Sequence, residues 1–437
     1  MIIKPIKTAT SAGQELVKKL LNRCQEADTG CSNTVTEILA AVREKGDEAL
    51  LGYIRQFDAP DFQLDQLKVS QEEFDRAHTQ VEQPFKNTLS LAVERLQFFH
   101  EQELEKSWTI TRDDGVITGR LVRPVSAAGL YVPGGQGGRT PLVSSVLMNG
   151  IPAGIAGVKK RVMVTPPNEK GEVHPALLVA ASKIDIDEVY KMGSAWAIAA
   201  LAYGTRSIPR VDVIVGPGNQ YVAEAKQQVS AVVGIDMIAG PSEVLIIADN
   251  SARPSYIAAD MLAQAEHDPQ ALAMLVTTSP EIGQQVVDEL ERQLQELSRY
   301  EIATNALKNR GVILIAEDIE EAIGLANEIA AEHLELMIEK PDSWLHAIQH
   351  AGAIFLGDYS PEAAGDYLAG PNHVLPTMGT ARFSSALGVE TFIKKSSIIS
   401  YSRKALLEDG PHIMALANLE GLSAHAKSVE IRVKDKG

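Results

Sequence analysis

The sequence predicts an α/β protein built from two doubly wound domains, preceded by a helical region and followed by a small tail. Three observations carry this. From Arg120 onward, short apolar runs ending in Gly or Pro alternate with Ala-rich segments of helical spacing, as parallel α/β units do. A Pro- and Gly-containing break at Gly234–Pro241 divides that series into two halves. The first hundred or so residues instead carry Glu, Gln, Lys, Leu and Ala at helical spacing.

In order along the chain, helical segments are expected at Thr34–Phe57 and Gln71–Glu105, separated by the loop Asp58–Asp65. The first α/β domain carries strands at Ala128–Val132, Arg161–Thr165, Glu188–Met192 and Val211–Val215, with helices at Ala195–Tyr203 and Gln220–Val229. The second carries strands at Val244–Ala248, Ala273–Thr277, Val312–Ile315, Leu334–Ile338 and Ala353–Leu356. Its helices are Ser255–His267, Glu281–Leu297 and Ile319–Glu332. After Gly379 the chain turns helical and polar, with a helix at Ala405–Asn418 and an alternating, strand-like Ser428–Val433. The segments are therefore 1–119, 120–235, 236–378 and 379–437. The tail is too small to fold alone and must pack on its own chain or on a second copy.

Composition excludes several classes. The chain has 437 residues, 57 acidic against 41 basic, for a formal charge of -16, and its basic residues are scattered. No stripe would track a phosphate backbone, so nucleic acid is not an expected partner. The N-terminus lacks the apolar core of a secretory signal and no run is long enough to cross a bilayer, so neither a membrane nor export is expected and the location is cytoplasmic. Cys24 and Cys31 have neither CxxC spacing nor a nearby His and read as ordinary thiols.

Four constellations have side chains suited to chemistry. Gln264 and His267 are three apart and share a helix face that could grip a metal, or they are a surface Gln and a capping His. Glu332 and His333 stand where a helix gives way to a strand and offer two proton-transfer groups of different acidity, or a solvated Glu beside a structural His. Ala364–His373 lies just beyond a strand, where α/β folds place ligands; Asp366 is an oxygen ligand candidate and Asn372 or His373 a turn former. Glu420 and His425 add a carboxylate and an imidazole in the tail. Gln264, His267, Asp366 and His425 together make a zinc-compatible set of two nitrogens and two oxygens. No G-x-G-x-x-G follows a strand: Gly134–Gly138 and Gly216–Asn219 both depart from it. Gly216-Pro-Gly-Asn219 does open a helix after a strand, which suits either a phosphate or a plain tight turn.

The motifs Gly129-Leu-Tyr-Val-Pro-Gly-Gly135, Gly216-Pro-Gly-Asn219, Ala239-Gly-Pro-Ser-Glu243, Gln264-Ala-Glu-His-Asp268, Ala331-Glu-His-Leu334 and Gly370-Pro-Asn-His-Val-Leu-Pro376 resemble those of histidinol dehydrogenases, in order and spacing, over nearly the whole chain. The resemblance implies an intertwined homodimer with two incomplete Rossmann-like domains, NAD as acceptor, and oxidation of L-histidinol through L-histidinal to L-histidine. It implies one zinc per subunit on Gln264, His267, Asp366 and His425, the last from the neighbouring subunit. It assigns proton transfer to Glu332 and His333, substrate contact to Ser242, His333, Glu420 and the metal ligands, and nucleotide contact to Tyr131 and Asn219. Trp196 departs from it: where the family carries Gln beside the nucleotide, a hydrogen-bonding group has become a stacking surface. The competing expectations are a related zinc alcohol dehydrogenase acting on another small alcohol such as a sulfonated diol, against which Glu420 argues because it would repel a sulfonate, a zinc hydrolase using Glu332 to activate water, and a silent scaffold.

Overall fold

The structure, a computed structural model, describes residues 2–23, 29–134 and 140–435. Cys24 and most of the Gly134–Gly138 run lie outside the described residues. Contacts divide the chain into two compact units. One is formed by Met1–Glu103 and Ser126–Phe392, the other by Leu104–Val125 and Ile393–Gly437.

The larger unit begins with strand β1 (Ile6–Lys7) and then a helical stretch. The segment expected as one helix over Thr34–Phe57 is two, Thr29–Lys45 and Asp47–Phe57, because Gly46 takes a left-handed φ of 54° that ends the ladder. Gln71–Glu105 likewise splits into Gln71–Gln80 and Gln83–His100, the second opening with Pro84 in its first turn. In the smaller unit, β2 (Trp108–Thr111) and β3 (Ile117–Pro124) follow.

The first α/β half carries β4 (Ala127–Tyr131), β5 (Lys160–Thr165), β6 (Glu188–Lys191), β7 (Val213–Val215) and β8 (Gly234–Ile235). They pair in parallel in the order β6-β5-β4-β7-β8, with the direction of winding reversing between β4 and β7. Every residue of β4 is buried, as a strand covered on both faces must be. Helix Ser194–Tyr203 is apolar on all sides and correspondingly buried almost throughout.

The second half carries β9 (Glu243–Ala248), β10 (Leu272–Thr277), β11 (Val312–Ile315), β12 (His333–Met337) and β13 (Ala353–Leu356). Its sheet runs β1-β11-β10-β9-β12-β13, all parallel, and repeats the winding of the first half with the reversal between β9 and β12. The period of two sorts the side chains. Val244, Ile246 and Ala248 face one core, Leu245 and Ile247 the other. No described helix is long and apolar enough to cross a membrane.

The smaller unit is completed by β14 (Ile393–Ser400), which pairs antiparallel with β3, itself antiparallel to β2. Two helices follow, Arg403–Leu419 and Ser423–Lys434. The strand expected at Ser428–Val433 is thus helical. Its alternation loses to helix-spaced pairs: Glu430 bonds Lys427 at 2.7 Å and also Lys434. Val429 and Val433 pack over Gly410 of the preceding helix.

Candidate active site

At the reversal point of the second sheet, one residue organises its neighbours through its backbone. Glu243, the first residue of β9, donates its N–H to Glu332 Oε2 at 2.8 Å and accepts from His333 Nδ1 at 3.0 Å. Helix Ile319–Ile329 makes this possible. It stops at Ala330 in a left-handed conformation, φ 51°, so Glu332 lies outside the helix expected to contain it and His333 opens β12 beside β9. The Glu243 carboxylate is in turn held by Arg23, Nε to Oε1 at 2.5 Å and Nη2 to Oε2 at 2.8 Å.

The Nδ1–H···O=C bond fixes the His333 tautomer, leaving Nε2 with the lone pair. Burial pushes the imidazole down to about 4, so it is neutral across the physiological range. Burial also holds the Glu332 carboxyl well above the usual carboxylate range, against the pull of the Glu243 N–H. Two adjacent proton-transfer groups are therefore pushed in opposite directions, an arrangement typical of acid–base sites.

Beside them, His267, Glu362 and Asp366 bring one ligand atom each to within 4.8 Å of one another. Helix Pro254–Ala265 carries Gln264 but ends before His267, which sits one residue past the C-cap Glu266. The expected shared helix face thus becomes a helix end, and His267 is exposed while Gln264 is fully buried. One end of the Gln264 amide lies 3.0 and 3.1 Å from Glu362 Oε1 and Oε2 and the other 3.3 Å from His267 Nδ1; both ends find a complementary partner only when the nitrogen faces Glu362 and the oxygen faces His267. Glu362 and Asp366 come from the short helix Glu362–Tyr367, four residues apart and so on one face. His373 Nδ1 stands 3.6 Å from Asp366 Oδ1. Burial alone would raise the Asp366 carboxyl, but His373, then His333 and His267, hold it below its ordinary value. Glu362 Oε1 is 3.7 Å from His333 Nδ1, and burial with the charges of Asp366, Glu332, Glu335 and Asp260 pushes its carboxyl well up.

Glu243 and His333 are the first residues of their strands, so this cluster gathers at the amino-terminal edge of the second sheet. That differs from the carboxyl-end position expected after β13. The short helix turns back from the end of β13, its first N–H bonded to Glu335 Oε1 at 3.1 Å. Ser242 immediately precedes β9 and is half-buried. Glu420 and His425 belong to the smaller unit: Glu420 caps helix Arg403–Leu419, His425 lies in the first turn of Ser423–Lys434, and both are exposed.

In the first half, Tyr131 ends β4 and its hydroxyl accepts the Ser194 N–H at 3.1 Å. Asn219 caps helix Gln220–Val229, accepting the N–H groups of Tyr221 and Val222 at 3.1 and 3.2 Å, so two donors of that turn are already engaged. Gly216 closes the turn with φ 112°, and a Cβ there would lie 2.1 Å from the Tyr131 carbonyl oxygen. Trp196 is buried, its ring centroid 5.5 Å from those of Tyr53 and Phe57 with near-parallel planes. Its indole nitrogen has no hydrogen-bond partner among the described residues.

Sequence reasoning had not singled out Glu362 or the Arg23–Glu243 pair. The four-residue spacing of Glu362 and Asp366 was a usable signal for the first. Nothing local marks a pair 220 residues apart.

The family model described as histidinol dehydrogenase matches residues 21–433. A histidinol dehydrogenase of Desulfotalea psychrophila is 64% identical over 99% of this chain and 100% of its own length. That of Halalkalibacterium halodurans is 50% identical over 94% of this chain and 97% of its own. The crystal structure of the enzyme from Elizabethkingia anophelis superposes with a TM-score of 0.92 at 38% identity, covering 99% of this chain and 98% of that one.

Proposed function

As the chain belongs to the histidinol dehydrogenase family, we propose that it oxidises L-histidinol through L-histidinal to L-histidine, the closing steps of histidine biosynthesis, with NAD as acceptor. The observation that supports this most directly is the shared grip of Glu243 on Glu332 and His333, next to a cluster of ligand-bearing side chains. Alcohol oxidation needs a base for the hydroxyl proton as hydride leaves, and the free Nε2 of neutral His333 is such a base. The aldehyde must then gain water before a second hydride can depart. Glu332, whose carboxyl burial holds well above the usual carboxylate range, is in its ionised form a strengthened base for the proton of that water.

Gln264, His267 and Asp366, with His425 from a second copy, are the residues that would hold zinc, one per subunit. Nitrogen, amide-oxygen and carboxylate donors suit that ion. When bound, zinc supplies a positive centre that orients the substrate's amino and imidazole nitrogens. His267, Glu362 and Asp366 bring ligand atoms within 4.8 Å of one another, and His267 is exposed, as an open site requires. Ser242 and Glu420 would contact substrate, Glu420 pairing with its ammonium. Tyr131, Trp196 and Asn219 would contact NAD. A homodimer is supported by the apolar exposure of the smaller unit, where Leu419, Ile399, Leu416 and Ile431 are all more than half exposed.

The division of labour is tested with Glu332→Gln and His333→Asn. The first should release one NADH per site from histidinol and then stall, its aldehyde step slowed at least ~100-fold, while the second should be slow in both steps. Equal damage confined to alcohol oxidation would sink the assignment.

A further inference from the structure

Glu362 lies within reach of the candidate metal ligands, yet its carboxylate is turned toward an amide. Both of its oxygens stand 3.0 and 3.1 Å from one end of the Gln264 amide, whose other end faces His267 Nδ1, and hydrogen-bond complementarity puts the nitrogen toward Glu362 and the oxygen toward His267. An amide's two ends are nearly identical in shape and opposite in polarity, and only the oxygen can ligate a cation. A buried carboxylate selects between the two orientations because its oxygens accept and Gln264's nitrogen donates. We propose that Glu362 is a positioning residue that locks the Gln264 amide with its oxygen outward, presetting the metal site, an inference that rests on the zinc reading above.

Three further observations agree with positioning rather than ligation. Glu362 is 2% exposed and the Asp366 side chain 18%, whereas His267 is exposed, so the open side of the cluster is at His267, away from Glu362. Glu362 is itself fixed from behind: its N–H bonds Glu335 Oε1, and Asp260 is the polar neighbour of Glu335. His333, the other group near its carboxylate, already spends its Nδ1–H on the Glu243 carbonyl and does not compete for the carboxylate. The order of contact is then Glu335 to Glu362 to Gln264, with the amide oxygen at the end of the series. Partners of metal ligands that act this way are worth roughly 10- to 100-fold in metal affinity.

The experiment measures zinc affinity of full-length protein by chelator competition, and the visible spectrum of the cobalt-substituted protein, for wild type, Glu362→Met, Glu362→Gln, Gln264→Glu and the double variant Gln264→Glu/Glu362→Gln. Glu362→Met, with no acceptor, should bind zinc roughly 10- to 100-fold more weakly. Its cobalt spectrum at saturation should be unchanged, because the ligands are the same. Glu362→Gln retains an acceptor oxygen and should lose clearly less. The double variant, in which a Gln at 362 donates to a carboxylate at 264, should recover affinity relative to Gln264→Glu alone, where two carboxylates meet. The recovery remains readable if Glu362→Met fails to fold. Unchanged zinc affinity in Glu362→Met, or equal losses in Glu362→Met and Glu362→Gln, would overturn the proposal. So would a cobalt spectrum altered at saturation, since Glu362 would then itself be a ligand. Wild-type protein that holds no zinc overturns the metal reading along with it, whereas the other three results leave that reading standing.

Discussion

The substitution Arg23→Met removes one half of a buried ion pair whose other half carries the proton-transfer residues. The Arg23 and Glu243 side chains are 6% and 1% exposed and meet through two hydrogen bonds, of 2.5 and 2.8 Å. Arg23 also donates to the Ile329 and Leu20 carbonyls at 2.8 and 2.9 Å. Stranding a buried carboxylate costs about 3–5 kcal/mol, a large part of the roughly 5–15 kcal/mol that holds a typical protein folded. Removing both charges strands neither, so Arg23→Met/Glu243→Met should lose less than Arg23→Met alone. Urea unfolding of wild type, both singles and the double, followed by tryptophan fluorescence, gives the cycle. Turnover should fall with Arg23→Met in folded protein, because any shift of Glu243 moves the N–H and C=O that hold Glu332 and His333. A stability loss under about 1 kcal/mol, or a double variant worse than the single, would refute the reasoning.

Other consequences follow from the same geometry. Burial pushes the Asp58 carboxyl up to about 7, and its Oδ2 has no partner among the described residues. Its folded-state value lies above that of the unfolded chain, so the protonated folded form gives stability that is present in acid and lost as pH rises toward 7. That term is on the order of 4 kcal/mol. Asp58→Asn should therefore flatten the fall in stability between about pH 4 and 7, as urea midpoints at each pH will report; an unchanged slope would contradict it. Gly216→Ala forces a Cβ against the Tyr131 carbonyl at a left-handed φ and should cost about 1–3 kcal/mol and raise KM for NAD while leaving zinc affinity alone. Leu419→Glu, at a side chain 86% exposed on the smaller unit, should yield monomers by light scattering and inactive protein, whereas an active dimer would remove that surface from the interface.

The longer strands of both α/β halves were legible because parallel strands buried on two faces must be continuous apolar runs, as in Val244–Ala248 and Val312–Ile315, whereas the two-residue edge strands Ile6–Lys7 and Gly234–Ile235 were not, the latter lying in the segment read as a break. The antiparallel sheet of the smaller unit was not. Its strands, Trp-Thr-Ile-Thr at 108–111 and Ile-Lys-Lys-Ser-Ser-Ile-Ile-Ser at 393–400, are largely exposed and carry no such run. Helix ends were misjudged where the backbone turns left-handed, at Gly46 and Ala330, and Ala330 lets Glu332 and His333 reach Glu243. Gln264, His267 and Asp366 were visible as ligand types, and the structure brings them together. Glu362 was hidden because its part is played through an amide on another helix.

The central claim is a four-electron oxidation, and the most direct test counts its products. Zinc-loaded protein is mixed with NAD and a limiting amount of L-histidinol, and NADH absorbance is set against histidinol consumed. The account predicts two NADH per histidinol, with histidine as the product. One NADH per histidinol with accumulating aldehyde, or none at all, would contradict it.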